Sequence, residues 1–389
     1  MSYAGTTAIA GVGATEFSKN SGRTEFRLAL EAITAALDDA GLAPADVDGL
    51  VTFSADASPE IAVARALGFR ELTYFDRIDY GGGAGCGCVQ HAAMAVAEGV
   101  AEVVVCYRAF NERSGYRFGS GARPLLPNQQ GIDDSLHRTF GLATAASFIG
   151  VVATRYMHEY GATSADFGQV SVACRAHAAT NPAAWFYQRP ITLADHQASP
   201  FIVEPLRLLD CCQETDGGVA IVVTSLRRAR SLRRPPAVIA AAAQAIGANH
   251  QNMTSFYDRD LAAGLPGGDL IAKQLWKTSG LTPADIQTAV IYDHFTPFVL
   301  MQLEDLGFCP RGEARDFVAG GNIQLGGGLP LNTHGGQLGE AYLHGMNGIN
   351  EAVRQVRGSA VNQVADVTNV LVTSGSGPPT SGLILRRDG

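Results

Sequence analysis

Short, nearly continuous apolar runs alternate along the chain with longer segments whose apolar residues recur every three to four positions. Runs such as "AEVVVCYR" from Ala101, "GVAIVVTS" from Gly218 and "AVIAAAAQAIGA" from Ala237 read as strands covered on both faces. The recurring pattern predicts amphipathic helices over about 25–40, 86–99, 143–161, 165–180 and 269–279. Two stretches, 110–140 and 181–209, dissolve into Gly, Pro, Arg and polar residues. Loops this long inside a compact protein are usually functional, so the region 110–209 is expected to form a lid or an interface arm.

One pattern occurs twice. "GLAPADVDGLVTFS" begins at Gly41 and "GLTPADIQTAVIYD" at Gly280, each preceded by an amphipathic helix and each running through a Pro-Ala-Asp turn into a β-branched strand. A repeated element order points to duplication, hence an α/β protein of two halves, 1–230 and 236–389, with layered sheets and helices. The Arg-rich "LRRARSLRRPP" between them reads as a solvated connector. The chain closes on "NVLVTSGSGPPTSGLILRRD", two apolar runs about a Gly/Pro turn, which predicts a hairpin.

Composition narrows the function classes. With 389 residues, 46% of them hydrophobic and only 17% charged, the chain can bury a large core and is expected to lose surface to partners. A net charge of -8 gives no footing for nucleic acid or an anionic membrane. No apolar run approaches the roughly 20 residues that span a bilayer. The start "MSYAGTTAIAGVGATEF" has neither the basic opening nor the apolar stretch of a signal peptide, so a cytoplasmic protein with reduced thiols is expected.

The candidate chemistry centres on "YGGGAGCGCVQHAAMA", beginning at Tyr80. A dinucleotide fingerprint would need glycine where Cys88 stands, and a phosphate loop would need Gly-Lys-Ser/Thr. A zinc clip would need a second cysteine pair at ligand spacing, which the adjacent Cys211 and Cys212 do not provide. What remains is a glycine turn entering a helix N-terminus, suited to a developing anion. Cys86 and Cys88 are then either a thiolate site or small packing residues.

The segments "GVAEVVVCYRAFNERS", "CCQETDGGVAIVV", "YDHFTPFVLMQLEDLGFC" and "LNTHGGQLGEAYLHGMNGINEAV" resemble the thiolase superfamily, on the lipid-transfer-protein branch related to sterol carrier protein X. The resemblance covers essentially the whole chain. It implies a five-layered αβαβα fold, a homodimer and acyl-CoA substrates.

Carried over position by position, the resemblance places the thiolase nucleophile at Gly82, where no thiol exists, with Gly83, Ala84 and Gly85 completing the turn. The second thiolase cysteine belongs in the loop Ser374-Gly375-Ser376-Gly377, and no cysteine follows Cys309. The histidine of the Gly-His-Pro motif falls on Tyr342, and the His or Asn of the other catalytic motif falls on Tyr292. Acyl transfer through an enzyme thioester cannot run without the cysteines.

Retro-aldol cleavage of a β-hydroxyacyl-CoA needs no enzyme nucleophile. It needs a base for the hydroxyl, stabilisation of the thioester enolate and an acid for the enolate carbon. The implied roles are proton transfer by Tyr292 and Tyr342 and an oxyanion loop at Gly82 and Gly83. His294 and His344 would be supporting groups, sharing a strand face with their tyrosines. A phenol of pKa about 10 is only roughly 0.1% ionised at pH 7, so the site is expected to lower one tyrosine's pKa or to couple the transfer through a neighbour. Asp293 is expected to orient a loop, and Glu340 is an alternative base.

Schiff-base chemistry is disfavoured because the three lysines, Lys19, Lys273 and Lys277, lie after the first strand and on an amphipathic helix. The nine histidines are dispersed, so no metal and no cofactor beyond the CoA thioester are expected. The paired tyrosines further resemble bacterial aldolases of steroid side-chain degradation. That resemblance implies a 17-hydroxy steroid substrate bearing a three-carbon CoA thioester, with a 17-ketosteroid and propionyl-CoA as products. It also implies a small partner with a zinc-ribbon and OB-fold domain, in a heterotetramer. The alternatives are a non-catalytic acyl-CoA carrier and a residual thiolase using Cys86 or Cys88.

Overall fold

The apolar runs become strands and the 3.6-residue segments become helices, in the order β1 (Thr7–Ala14), α1 (Glu25–Ala40), β2 (Gly49–Phe53), α2 (Glu60–Leu67), β3 (Tyr74–Ile78), α3 (Ala84–Ala97) and β4 (Val103–Asn111). The excursion from the first half holds α4 (Gln129–Thr139), α5 (Ala145–Tyr160), α6 (Ser164–Thr180), α7 (Leu193–Ala198), β5 (Phe201–Val203) and β6 (Leu206–Arg207). It returns through β7 (Asp216–Ser225) and α8 (Leu226–Ala229). The second half runs β8 (Ala237–Ala245), α9 (Gly268–Ser279), β9 (Thr288–Val290), α10 (Thr296–Asp305), α11 (Ala314–Val318), α12 (Gly336–Gly339), α13 (Met346–Arg357), β10 (Asn369–Ser374) and β11 (Thr380–Arg387). These elements come from a computed structural model that describes residues 2–79, 81–115, 117, 129–248, 265, 267–375 and 380–389.

The two Pro-Ala-Asp segments fold alike. α1 and α9 each end on a left-handed glycine, Gly41 (φ +76°) and Gly280 (φ +70°), which releases a carbonyl end that an L side chain would strain. A 3₁₀ turn follows in each copy, Pro44–Asp46 and Pro283–Asp285, and leads into β2 and β9. The correspondence aligns Phe53, closing β2, with Tyr292, just beyond β9.

Among the described residues, nine strands make one mixed sheet in the order β3-β2-β4-β7-β1-β8-β11-β10-β9. Outward from the central β1–β8 pair, the order on one side is β1, β7, β4, β2 and on the other β8, β11, β10, β9. Corresponding neighbours have the same sense: β2 with β4 and β9 with β10 are parallel, while β4 with β7 and β10 with β11 are antiparallel. β10 and β11 form the expected hairpin. Within the sheet the halves join at the β1–β8 pair, with Ala8 opposite Val238 and Ile9 opposite Ala237.

Strand alternation sorts the core into layers. On β4, Val104 and Cys106 face a core shared with α3 and α13, whereas Val103, Val105 and Tyr107 face α1. On β10, Val370 and Val372 join the α3/α13 core, while Leu371 joins the core beneath α5, α6, α9 and α10. The layers are therefore α1, half-sheet, α3 with α13, half-sheet, and the outer helices of the second half, which is the expected αβαβα stack.

Local readings differ at three places. α4 stands in a stretch read as irregular; its apolar residues Ile132 and Leu136 have helical spacing but are diluted by polar ones and Gly131. α3 begins at Ala84, two residues earlier than expected, because Gly81–Gly83 already make the turn. The Arg-rich connector is stapled down: Arg228 pairs with Asp46 (3.1 Å) and Glu102 (2.7 Å), and Arg230 with Asp388 (2.7 Å). The lid reading for 118–128 lies outside the described residues.

Candidate active site

The glycine turn sits where both halves converge. The amide of Ala84 donates to the Gly81 carbonyl (3.1 Å) and that of Gly85 to the Gly82 carbonyl (3.4 Å), which starts α3. The amides of Gly82 and Gly83 form no hydrogen bond with another described residue. Such unpaired donors at a helix N-terminus suit a developing anion.

Glycine is needed here for space. A Cβ on Gly82 would lie 1.9 Å from the Tyr292 hydroxyl, and one on Gly85 would lie 2.1 Å from Ser374 Oγ. Gly345, at φ +83°, similarly clears the Tyr292 ring and Ser374. Ser374 Oγ donates to the His344 carbonyl (3.3 Å); its loop neighbours Ser376 and Gly377 lie outside the described residues.

Tyr292 is held through its backbone. Its amide donates to Thr373 Oγ1 (2.9 Å) and its carbonyl accepts from Gln302 Nε2 (2.8 Å), while Thr373 Oγ1 donates to Gln302 Oε1 (2.6 Å). β10 and α10 thus fix the ring from both sides. Tyr342 comes from the turn after α12; its amide donates to Thr215 Oγ1 (3.3 Å) and its ring meets the edge of Phe110 at 6.3 Å. The two phenol oxygens are 3.3 Å apart. The fold of the second half brings together side chains fifty residues apart in sequence.

Burial raises the pKa of both phenols. Their shared hydrogen bond lowers that of Tyr292, while Cys212 and Glu112 push both upward. The expected lowering of one tyrosine is therefore corrected: the ionisable neighbours that act on the pair are themselves acids. The coupled alternative has its geometry in the phenol–phenol contact.

The histidines also depart from expectation. Neither tyrosine–histidine pair shares a strand, because β9 ends at Val290 and His344 lies in a turn at φ +53°. Each ring nevertheless packs on its tyrosine, His294 on Tyr292 at 4.8 Å and His344 on Tyr342 at 5.2 Å. Burial pushes the pKa of His294 down to about 3 and that of His344 well below its usual range. Both imidazoles are neutral at pH 7.

Asp293 accepts from the amides of Gln337 (2.8 Å) and Leu338 (3.3 Å) at the start of α12, and so orients the loop that carries Tyr342. Burial, the larger effect, raises its pKa to about 6 against those hydrogen bonds. Glu340 is held by the side-chain amides of Asn181 (3.1 Å) and Asn347 (2.9 Å), which ties it into the loop scaffold. Cys86 and Cys88 are fully buried, and their thiols donate to the carbonyls of Val372 (3.8 Å) and Thr52 (3.7 Å). Burial pushes both thiols up, so these residues pack the central core; the displaced-thiolase reading loses its nucleophile.

Four groups escaped the sequence reading. Arg108, Phe110 and Glu112 follow one another at every second position on the inner face of β4 and its extension. Arg108 is almost wholly buried, with Nη1 on Asp56 (3.0 Å) and Nε on His344 Nδ1 (3.2 Å). Glu112 is 3% exposed, and its Oε2 has no hydrogen-bond partner among the described residues. Burial, reinforced by Glu214, raises its pKa to about 9. Lys19 donates to Gln213 Oε1 (3.0 Å) and the Glu214 carbonyl (2.5 Å), and burial lowers its pKa to about 8. The alternation of β4 was the available signal for the first three. Among the described residues no group of three His, Cys, Asp or Glu side chains is placed to hold a metal, and no helix is long and apolar enough to cross a membrane.

Residues 7–226 match the family model for the thiolase N-terminal domain, and 247–385 match the thiolase C-terminal domain-like model. The chain belongs to the thiolase family. This thiolase-family protein is 64% identical to a steroid side-chain-cleaving aldolase of Thermomonospora curvata over 99% of its own length and 98% of that protein. It is also 64% identical to the 17-hydroxy-3-oxo-4-pregnene-20-carboxyl-CoA lyase of Mycobacterium tuberculosis, over 98% of this chain and 99% of the relative. A solved Ltp2-ChsH2(DUF35) aldolase superposes with a TM-score of 0.96 at 63% identity, over 100% of this chain and 99% of that one. Human mitochondrial 3-ketoacyl-CoA thiolase, at 14% identity and a TM-score of 0.69 over 99% of this chain and 98% of that one, shares the fold.

Proposed function

We propose that this thiolase-family chain is a carbon–carbon lyase that cleaves a β-hydroxyacyl-CoA by retro-aldol chemistry, with Tyr292 and Tyr342 moving the proton. The observation that carries the mechanism is the pair of phenol oxygens, 3.3 Å apart, seated over a glycine where the family's nucleophile would stand. Near-full-length 64% identity to two aldolases supports the reaction class.

In the proposed reaction the carbinol O–H proton passes to one phenol oxygen, in step with that phenol's own proton leaving toward the second phenol, as the bond between the carbinol carbon and Cα breaks. Its electrons form the thioester enolate and the carbinol carbon becomes a ketone. The second phenol gives its proton to Cα and receives the first phenol's proton across the shared hydrogen bond. Both tyrosines end neutral, and the net change is one proton moved from oxygen to carbon. This coupling avoids a standing phenolate, which at pH 7 costs about 4 kcal/mol even for an ordinary phenol and more for a buried one. The amides of Gly82 and Gly83 would hold the enolate oxygen at the N-terminus of α3. No cofactor beyond the substrate's own CoA thioester enters the scheme.

From the names of the relatives, the substrate is a 17-hydroxy steroid with a three-carbon CoA side chain, and the products are a 17-ketosteroid and propionyl-CoA. The Ltp2-ChsH2(DUF35) likeness supports a DUF35-type partner; the assembly proposed with it is a heterotetramer built on a dimer of this chain. The test is co-expression with such a partner and incubation with the steroid thioester, following propionyl-CoA and ketone by mass spectrometry. Equimolar release of both supports the reading. Tight binding without turnover, with and without partner, would favour an acyl-CoA carrier.

A further inference from the structure

Arg108 makes the strongest claim among the polar groups outside the tyrosine pair. It is 2% exposed, yet carries a charge, and its Nε, its Nη1 and the face of its guanidinium are all engaged. Asp56 Oδ2 accepts from Nη1 at 3.0 Å, the Ala109 carbonyl accepts from the same nitrogen at 2.9 Å, and the guanidinium lies over Phe110 (4.2 Å) and Phe53 (5.6 Å). Its Nε–H points at His344 Nδ1, 3.2 Å away. A guanidinium N–H can only donate, so Nδ1 must accept. The ring proton of His344 is therefore on Nε2, and the ring is neutral.

The ring is clamped in this pose. Phe110 stacks on it at 5.0 Å and Phe53 at 5.8 Å, and its backbone occupies the left-handed region at φ +53°. Nε2 faces the glycine turn: a Cβ on Gly81 would come within 3.2 Å of it. Among the described residues, the ionisable groups about the ring and its Arg108 partner include Asp56 after β2, His294 after β9 and Tyr342 on its own turn. Burial, then Arg108, then His294 all disfavour a second proton on the ring.

We propose that Arg108 is a positioning residue that fixes His344 as a neutral imidazole with its proton on Nε2, so that the glycine turn gains a permanent side-chain donor beside the Gly82 and Gly83 amides for the thioester enolate oxygen. The enolate part of this inference rests on the retro-aldol reading, whereas the tautomer does not.

Two measurements test it. In histidine-labelled protein, nitrogen–proton NMR correlation, with His344 assigned by its loss in His344→Gln, should show the proton on Nε2 and no titration between pH 5 and 8. A proton on Nδ1 would overturn the proposal without reference to any activity. In Arg108→Gln, where burial still disfavours the charged ring, the ring should lose its single tautomer, with Nδ1–H and Nε2–H forms both populated, and kcat should fall; a ring that keeps the Nε2–H form alone at wild-type kcat would overturn the lock. His344→Leu should lower kcat by about 10²-fold with KM little changed, while His344→Gln, which keeps an N–H donor, should lose less. Equal kcat in His344→Leu and wild type would overturn the donor role. A correct tautomer in a protein without aldolase turnover would leave the Arg108 lock standing and sink the reaction reading instead.

Discussion

The Tyr292 hydroxyl fills the space that any side chain at residue 82 would require: a Cβ there would lie 1.9 Å from the oxygen and 2.4 Å from Cζ. A nucleophile at 82 and a tyrosine at 292 are sterically exclusive on this backbone. Gly82→Ala should therefore destabilise the protein by about 1–3 kcal/mol through overpacking and abolish turnover by displacing the phenol. Adding Tyr292→Ala should recover stability, with a coupling above about 1 kcal/mol in urea unfolding. Additive losses would show that the backbone yields instead.

The central cysteines should be dispensable for chemistry. Cys86→Ala with Cys88→Ala should keep kcat within about threefold, at a stability cost of about 1–2 kcal/mol for the small cavities. Both thiols should resist alkylation in the native protein, as their burial and raised pKa require. Rapid native alkylation with parallel loss of turnover would return the nucleophile to this helix.

Glu112 gives the protein a signed pH response. Its carboxyl is held protonated from its ordinary 4.5 up to about 9, while the unfolded chain ionises across that interval. The folded state then binds more protons, so this group's contribution to stability falls as pH rises from about 4.5 to 9. Glu112→Gln removes that dependence. Its melting temperature relative to wild type should climb between pH 5 and pH 9, by at least about 2 °C. A gap that stays constant with pH would contradict the assignment.

Asp293 should act on Tyr342 through the α12 amides. Asp293→Ala leaves the amides of Gln337 and Leu338 without their acceptor and should cost about 1–3 kcal/mol, measured by thermal unfolding. It should lower kcat as the Tyr342 turn loosens. Asp293→Asn, which keeps one acceptor oxygen, should recover part of both. Identical behaviour of the two variants would remove Asp293 from the positioning of that turn.

Much of the framework was legible in the chain. The two Gly-Leu-x-Pro-Ala-Asp segments announce a helix stop, a turn and a strand because each residue has a local conformational reason to be there. The tyrosine pair was legible only through family resemblance, since nothing local links Tyr292 to Tyr342 across fifty residues of intervening chain. Arg108 and Glu112 were missed because polar residues on an apolar strand read as exposed, whereas here one is ion-paired and the other protonated. Of the two expected routes, a lowered phenol pKa or a coupled transfer, the first is not what the site provides, because burial beside acidic neighbours raises both phenols. The strand expected for Tyr342 and His344 failed because the positive φ of His344 and Gly345 turns the chain, a feature that histidine does not advertise.

The central claim is that Tyr292 and Tyr342 form one proton path, and steady-state cleavage by Tyr292→Phe, Tyr342→Phe and the double variant tests it most directly. With the partner present and the steroid thioester saturating, each single variant should lose about 10²-fold or more in kcat, and the double variant should lose little beyond the worse single. Each should stay folded, with a stability change of about 1 kcal/mol or less. Wild-type kcat in either single variant, or losses that multiply in the double, would contradict the account.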